Sequence, residues 1–94
     1  MAVRKILCCC ISGLGSSFIV EMNVKKVLKI LGKQGISVEH AGIQDAMPGS
    51  ADLFICSSDV YSECCKAGDT IPLDKLADLA ELKEKLTAYF ENHQ

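Results

Sequence analysis

The chain has 94 residues, which predicts one domain spanning residues 1–94 with a single hydrophobic core. Its hydrophobic fraction of 49% is typical of a folded protein and argues against disorder. The net charge is −2, whereas nucleic-acid binders normally carry a basic excess, so no nucleic-acid partner is expected. No apolar stretch is long enough to cross a bilayer, so no direct membrane insertion is expected either.

The six cysteines lie inside apolar runs rather than in loops, which favours reduced thiols over a disulfide framework. The N-terminus has charged residues but only a short apolar run behind them, without the apolar core or cleavage site of a signal peptide. Together these features predict a cytoplasmic protein. They leave open whether Cys8 or Cys9 forms a disulfide with Cys10.

Apolar patterning predicts alternating strands and helices. The predicted strands span 3–10, 36–43, 51–56 and 70–73. The predicted helices span 18–31 and 76–90, and a short helix between them includes residues 60–65 and ends near Gly68. The first strand is almost continuously apolar, as in a strand buried on both faces. Pro72 cannot donate to a ladder, so its strand should lie at an edge. This order predicts an α/β fold with a four-stranded parallel sheet (order 2-1-3-4) and helices on both faces, of the flavodoxin-like, phosphatase-loop type.

Turn and capping residues mark the helix boundaries. Gly32 and Gly35 bracket the end of the first helix, and Gly35 suits a left-handed turn after it. One of residues 57–59 suits the N-cap of the short second helix. Glu81 and Lys85 should form a pair across one turn of the last helix. The residues predicted to face the core from that helix are Leu79, Leu82, Leu86 and Tyr89.

The segment from Cys10 to Ser17 is the strongest candidate for a functional site. It joins a predicted strand to a predicted helix and contains a thiol, two glycines and three hydroxyls. The N–H groups and dipole of a helix start favour a bound anion, and glycines let the backbone close round a phosphate. A thiol there ionises more readily than usual, so Cys10 is predicted to be a nucleophile that accepts a phosphoryl group. The predicted phosphate-binding residues are Ile11, Ser12, Gly13, Leu14, Gly15, Ser16 and Ser17.

The other cysteines are weaker candidates. Cys8 and Cys9 should be packed within the first strand, and Cys56, Cys64 and Cys65 are interpreted as small core residues. Consecutive cysteines on a strand point apart, which does not suit a zinc site, and no metal is expected. No Cys-x-x-Cys motif is present, which disfavours a thioredoxin-type redox site.

Three polar residues have both a functional and a structural interpretation. His40 could carry or relay a phosphoryl group, but a half-buried strand histidine is the simpler interpretation; His93 lies in the C-terminal tail. Asp59 could act as a general acid, but capping the short helix is the simpler role. In sheet order 2-1-3-4, residues 57–59 follow the third strand at the topological switch point, so they should face the Cys10 segment.

The motif Cys-x-x-Gly-x-Gly-Ser-Ser at residues 10–17 resembles the IIB components of the bacterial sugar phosphotransferase system (PTS). The similarity continues through residues 16–24 and 51–57, and the branch it resembles most is the ascorbate/galactitol-like one. The resemblance implies that Cys10 takes a phosphoryl group from a phosphohistidine on a IIA protein. It implies transfer of that group to a sugar held by a membrane IIC permease, with no cofactor. Family members often have glycine directly after the cysteine, where this chain has Ile11.

Two other functions stay open. The loop also resembles that of low-molecular-weight tyrosine phosphatases, so a phosphatase or an arsenate-reductase-like enzyme is one alternative. Those phosphatases place an arginine where this chain has Ser16, and an aspartate protonates their leaving group; the loop here has neither. A non-catalytic regulatory module that only senses an anion is the other alternative. The sequence indicates neither the sugar nor the oligomeric state.

Overall fold

The computed structural model of the chain describes residues 3–10, 16–75 and 78–92, with the backbone alone at positions 10, 16, 17 and 43. The strands are β1 (Lys5–Cys10), β2 (Ser37–Gly42), β3 (Leu53–Ser57) and β4 (Thr70–Leu73). The helices are α1 (Ser16–Ile30), α2 (Tyr61–Cys64) and α3 (Leu79–Asn92). Short 3₁₀ turns lie at Ile43–Asp45 and Ser58–Val60. The predicted strands and helices are therefore present.

The strands run parallel in the order β2-β1-β3-β4, which confirms the predicted flavodoxin-like topology. β1 and β3 form the centre of the sheet, and their apolar side chains are buried because helices cover both faces. The register pairs Cys9 with Cys56 and Cys10 with Gly42. β4 lies at an edge, as Pro72 predicts.

Different helices cover the two faces of the sheet. α1 and α3 pack on one face, where the larger core includes Cys8 of β1, Val24 and Leu82. α2 packs on the other face, where the smaller core includes Cys9 of β1 and Cys64. Consecutive cysteines thus point to opposite sides of the sheet, as strand geometry requires. No helix in the described part of the chain is long and apolar enough to span a membrane.

α1 ends in a Schellman motif at Gly32, and Gly35 has the left-handed conformation predicted for the turn after the helix. Gly32 has a φ of 73°, and its N–H donates to the carbonyl of Lys29 while the N–H of Lys33 donates to the carbonyl of Leu28. Gly35 also has a positive φ, but it lies in the connection to β2. The earlier glycine caps the helix because it directly follows the last helical turn.

The inner face of α3 differs from the prediction at both ends. Leu82 and Leu86 are buried as expected, but Phe90 is buried in place of Tyr89, and Leu79 is exposed. Tyr89 lies at the rim of the core, where its hydroxyl donates to a carboxylate oxygen of Asp69 at 2.9 Å. A tyrosine hydroxyl needs a polar partner, so the purely apolar phenylalanine takes the inner position. The predicted first residues of this helix, 76 and 77, lie outside the described residues.

The capping and core roles predicted around α2 are partly wrong. Ser57 occupies the N-cap position of the 3₁₀ turn, but its side chain makes no capping hydrogen bond, and Val60 rather than Asp59 precedes α2. Val60 and Cys64 are buried, whereas Cys65 is exposed. The inward face of this short segment therefore holds one residue per turn, which leaves Cys65 outside the core.

Glu81 joins the first turn of α3 to the end of β4. Its carboxylate accepts hydrogen bonds from the backbone N–H groups of Asp74 and Lys75, each at 2.9 Å. It also pairs with Lys85 at 2.9 Å, which confirms the predicted helical pair. These interactions, above all the two backbone hydrogen bonds, lower the pKa of Glu81 to about 2.

Replacement of this carboxyl in Glu81→Gln should destabilise the protein at neutral pH and have little effect in strong acid. The folded state favours the ionised carboxylate, so its stabilisation is present above the ordinary pKa of 4.5 and is lost as the pH falls towards about 2. Urea unfolding of both proteins between pH 7 and pH 2 measures the difference. Glu84→Gln, which alters an exposed carboxyl on the same helix, is the control. A Glu81→Gln effect that did not depend on pH would contradict the prediction.

Candidate functional site

The end of β1 and the start of α1 frame the predicted loop. β1 ends at Cys10 and α1 begins at Ser16, so the strand and the helix predicted on either side of the segment are present. The residues between them, Ile11, Ser12, Gly13, Leu14 and Gly15, lie outside the described residues, as do the side chains of Cys10, Ser16 and Ser17. The phosphate-binding role of this segment stays a prediction.

The N-terminus of α1 is electrostatically suited to an anion. The 15-residue helix has no acidic residue in its first turn, so no side-chain carboxylate of that turn competes for its N–H groups. Aligned peptide dipoles place about half a positive charge at such a terminus. The helix therefore offers a favourable potential to an anion at its N-terminus.

The register of the sheet identifies the neighbours of Cys10. Gly42 of β2 is its direct partner, and Ser57 lies at the same level on β3, one residue beyond the pair Cys9 and Cys56. β1 and β3 adjoin where the chain order reverses, so the end of β3 does lie beside the end of β1. Sequence order alone would not have paired these two segments.

Gln44 is a polar neighbour that sequence reasoning missed. A Cβ atom added to Gly42 would lie 2.5 Å from Oε1 of Gln44, so the side-chain amide occupies the space that a larger residue would fill. Gln44 thereby covers the end of β2 directly beside Cys10. The sequence signal was a glycine two residues before a glutamine, which is too common to identify a site.

Burial separates the described cysteines into packed thiols and one accessible thiol. Cys8, Cys9, Cys56 and Cys64 are buried as predicted, whereas Cys65 is exposed. Burial is the main cause that raises the pKa of the Cys8, Cys56 and Cys64 thiols, so little thiolate is available there at neutral pH. Among the described residues, no group of three histidine, cysteine or carboxylate side chains is arranged to hold a metal ion.

His40 connects β2 to the first two turns of α1. Its Nδ1 donates a hydrogen bond to Oε1 of Glu21, and its ring meets that of Phe18 edge-on, with centroids 5.7 Å apart. The side chain is 34% exposed, which fits the strand histidine favoured by the sequence. Because Nδ1 is hydrogen-bonded to Glu21, the imidazole links the edge strand β2 to helix α1. This contact between β2 and α1 is called the tie below.

Glu21 is the second residue that sequence reasoning missed. Only 12% of its side chain is exposed, and it pairs with Lys25 at 2.9 Å in addition to His40. Burial by itself raises the pKa of Glu21, but the hydrogen bonds from Lys25 and His40 outweigh it and lower the pKa below its ordinary value. The partner histidine lies 19 residues away in the chain, so no local pattern could reveal the contact.

A double-mutant cycle should detect the tie between α1 and β2. We expect Glu21→Gln and His40→Gln to show a coupling energy of about 0.5–1 kcal/mol at pH 6, because each change removes the same partly buried interaction. Urea unfolding of the two single variants and the double variant gives the value. Glu21→Gln combined with Lys26→Gln is the control, since Lys26 makes no ion pair within the described residues. Equal coupling in both cycles would argue against the tie.

Comparison with known proteins identifies the family. The family model described as "PTS system, Lactose/Cellobiose specific IIB subunit" matches residues 5–88, which run from β1 into α3. A comparison with curated proteins finds no significant match. The matched description agrees with the IIB resemblance but does not identify the ascorbate/galactitol-like branch. The chain belongs to the PTS IIB family, whose members are phosphotransferase components of sugar transport.

Proposed function

We propose that Cys10 is the phosphoryl carrier of this IIB domain. Its thiolate accepts a phosphoryl group from a phosphohistidine on a cytoplasmic IIA protein and passes the group to a sugar bound by a membrane IIC permease. The observation that carries the proposal is the place of Cys10 as the last residue of a central strand, directly before the segment that leads to the N-terminus of α1. Strands that end at a switch point place their ligands at this edge.

The transfer consists of two in-line displacements. The Cys10 Sγ thiolate attacks phosphorus, an S–P bond forms, and the N–P bond to the donor histidine breaks as the imidazole leaves. A sugar hydroxyl oxygen then attacks phosphorus, an O–P bond forms as the S–P bond breaks, and the hydroxyl proton passes to the released Cys10 thiolate. Residues 11–17 provide backbone N–H groups and the Ser12, Ser16 and Ser17 hydroxyls that hold the phosphoryl oxygens.

The other thiols support this choice by exclusion. Cys8, Cys56 and Cys64 are buried with raised pKa values, and Cys9 is buried with its Sγ 3.9 Å from the carbonyl oxygen of Leu7. A buried thiol is both hard to ionise and out of reach of a protein donor. Cys65 is accessible, but it lies beyond α2 rather than at the start of a helix.

The arginine content argues for a carrier rather than a phosphatase. The sequence has one arginine, Arg4, which precedes β1 at the amino edge of the sheet, opposite Cys10. A phosphatase of the related loop type uses an arginine to bind the equatorial oxygens of the transferring group. A phosphocysteine held only by N–H groups and hydroxyls is less prone to hydrolysis, as an intermediate that waits for a sugar requires.

Incubation with a phosphorylated IIA protein should label the wild-type chain and fail to label Cys10→Ser. Cys65→Ser is the matched control, because it removes an accessible thiol that lies beyond α2 and outside residues 10–17, and it should be labelled as efficiently as wild type. Tandem mass spectrometry at neutral pH should place the phosphoryl group on Sγ of Cys10. Label that persists in Cys10→Ser, or that moves to His40, would contradict the proposal.

The phosphatase and the anion-sensing alternatives predict different results for the isolated chain and its Cys10 variants. Rapid hydrolysis of an aryl phosphate by the isolated chain would favour a phosphatase. Absence of labelling, together with phosphate binding that is unchanged in Cys10→Ala, would favour an anion-sensing regulatory module.

We further propose that the chain belongs to the ascorbate/galactitol-like branch, on the resemblance of residues 10–24. Donors of the ascorbate/galactitol type should then phosphorylate Cys10 at least about tenfold faster than lactose/cellobiose-type donors, a difference of about 1.4 kcal/mol in transition-state binding. Initial rates of labelling at equal donor concentration measure this preference. Faster labelling by the lactose/cellobiose-type donor would overturn the branch assignment and leave the carrier role intact.

A further inference from the structure

The outer face of α1 exposes large apolar side chains next to the proposed loop. Phe18, Ile19 and Met22, in its first two turns, are 50%, 45% and 45% exposed. The inner face of the same helix is buried against the sheet through Val20, Val24 and Val27. The exposed apolar group therefore lies on the opposite side of the helix from the core, beside the segment that begins after Cys10.

Lysines continue this outer face away from the loop. Lys26 and Lys29 are exposed, and Lys26 follows Met22 by one helical turn. The one carboxylate of α1, Glu21, is mostly buried and paired with Lys25 and His40. The exposed face of α1 thus combines apolar and basic side chains and offers no accessible carboxylate. We call this surface, formed by Phe18, Ile19, Met22, Lys26 and Lys29, the α1 face.

Charge is strongly segregated along the chain. Residues 16–33 contain four lysines and one glutamate, a net charge of +3. Residues 34–94 contain four lysines and eleven acidic residues, a net charge of −7. A basic surface on an otherwise acidic protein attracts an acidic partner while the remainder of the molecule repels it. Two of the four lysines in residues 16–33, Lys26 and Lys29, lie on the α1 face, so this face is on the side of the molecule that attracts an acidic protein.

We propose that the α1 face docks the phosphohistidine donor, through an apolar patch on the donor that is surrounded by carboxylates. This inference rests on the proposed carrier role of Cys10. The donor must bring its phosphorus within about 3–3.5 Å of the attacking sulfur, so it contacts whatever surface adjoins the loop. Phe18, Ile19 and Met22 are the exposed apolar side chains that follow the loop in the chain, and the lysines beyond them match the carboxylate rim and steer the encounter.

A pair of charge reversals tests the docking surface. Lys26→Glu with Lys29→Glu should lower the rate of Cys10 labelling by a phosphorylated IIA protein about tenfold or more at low ionic strength, and the deficit should shrink as salt is added. The matched control is Lys66→Glu with Lys83→Glu, which changes the net charge equally at exposed positions off α1 and should stay within about twofold of wild type. Lys26→Gln with Lys29→Gln should give an intermediate loss.

A second experiment tests the apolar part of the α1 face. Met22→Ser should weaken the complex with unphosphorylated IIA protein about tenfold, measured by titration calorimetry, with little dependence on salt, since a buried apolar contact is not screened. Ala88→Ser, on the exposed side of α3, serves as the control. Equal affinities for the two variants and wild type would overturn the apolar contribution.

The outcomes separate the docking proposal from the carrier proposal. If the wild-type chain is never labelled at Cys10, the carrier role is overturned, and the docking proposal that rests on it is overturned as well. If wild type is labelled and both charge-reversed pairs react alike, the carrier role stands and the docking surface is overturned. Binding to phosphatidylglycerol vesicles that is lost in Lys26→Glu with Lys29→Glu, while labelling is unchanged, would also overturn it and assign the α1 face to a lipid surface. Self-association that depends on these lysines, with unchanged labelling, would assign it to a second copy of the chain.

Discussion

The ladder of hydrogen bonds that holds β1 between β2 and β3 sets the positions of the groups around the proposed site. All three strands run parallel, so their carboxyl ends meet at one edge, where Cys10 lies level with Gly42 and Ser57. Slippage of β1 by one residue would move Cys8 and Cys9 to the wrong faces and disrupt both cores at once. The position of the proposed nucleophile is therefore fixed by core packing on both sides of its strand.

The same packing distinguishes three consecutive cysteines that are chemically identical in the sequence. Cys8 is buried beneath α1 and Cys9 beneath α2, so each behaves as a small apolar residue. Cys10 is the last residue of the strand. The proposed reactivity of Cys10 rests on where the strand stops, because burial disfavours a thiolate and a helix N-terminus favours it.

α1 connects the site to the rest of the molecule through three of its features. Its inner face packs on the sheet, its N-terminus points a positive potential towards the preceding loop, and its outer face is apolar and basic. The contacts of His40 with Phe18 and Glu21 hold the first two turns against β2. A helix anchored in this way would hold the proposed anion site and the proposed docking surface in a fixed relation, which in-line transfer between two proteins requires.

Local patterns in the sequence were sufficient for the strands, the helices, the edge position of Pro72 and the Glu81–Lys85 pair, because each depends on residues close together in the chain. The tie between Glu21 and His40 and the cover of Gln44 beside Cys10 required the tertiary structure, since strand pairing brings these groups together. Local patterns also did not determine which side of each helix faces the sheet. The choice of Phe90 over Tyr89, and of Cys64 over Cys65, depends on how each helix is rotated against the sheet, and neighbouring apolar residues leave that rotation undetermined.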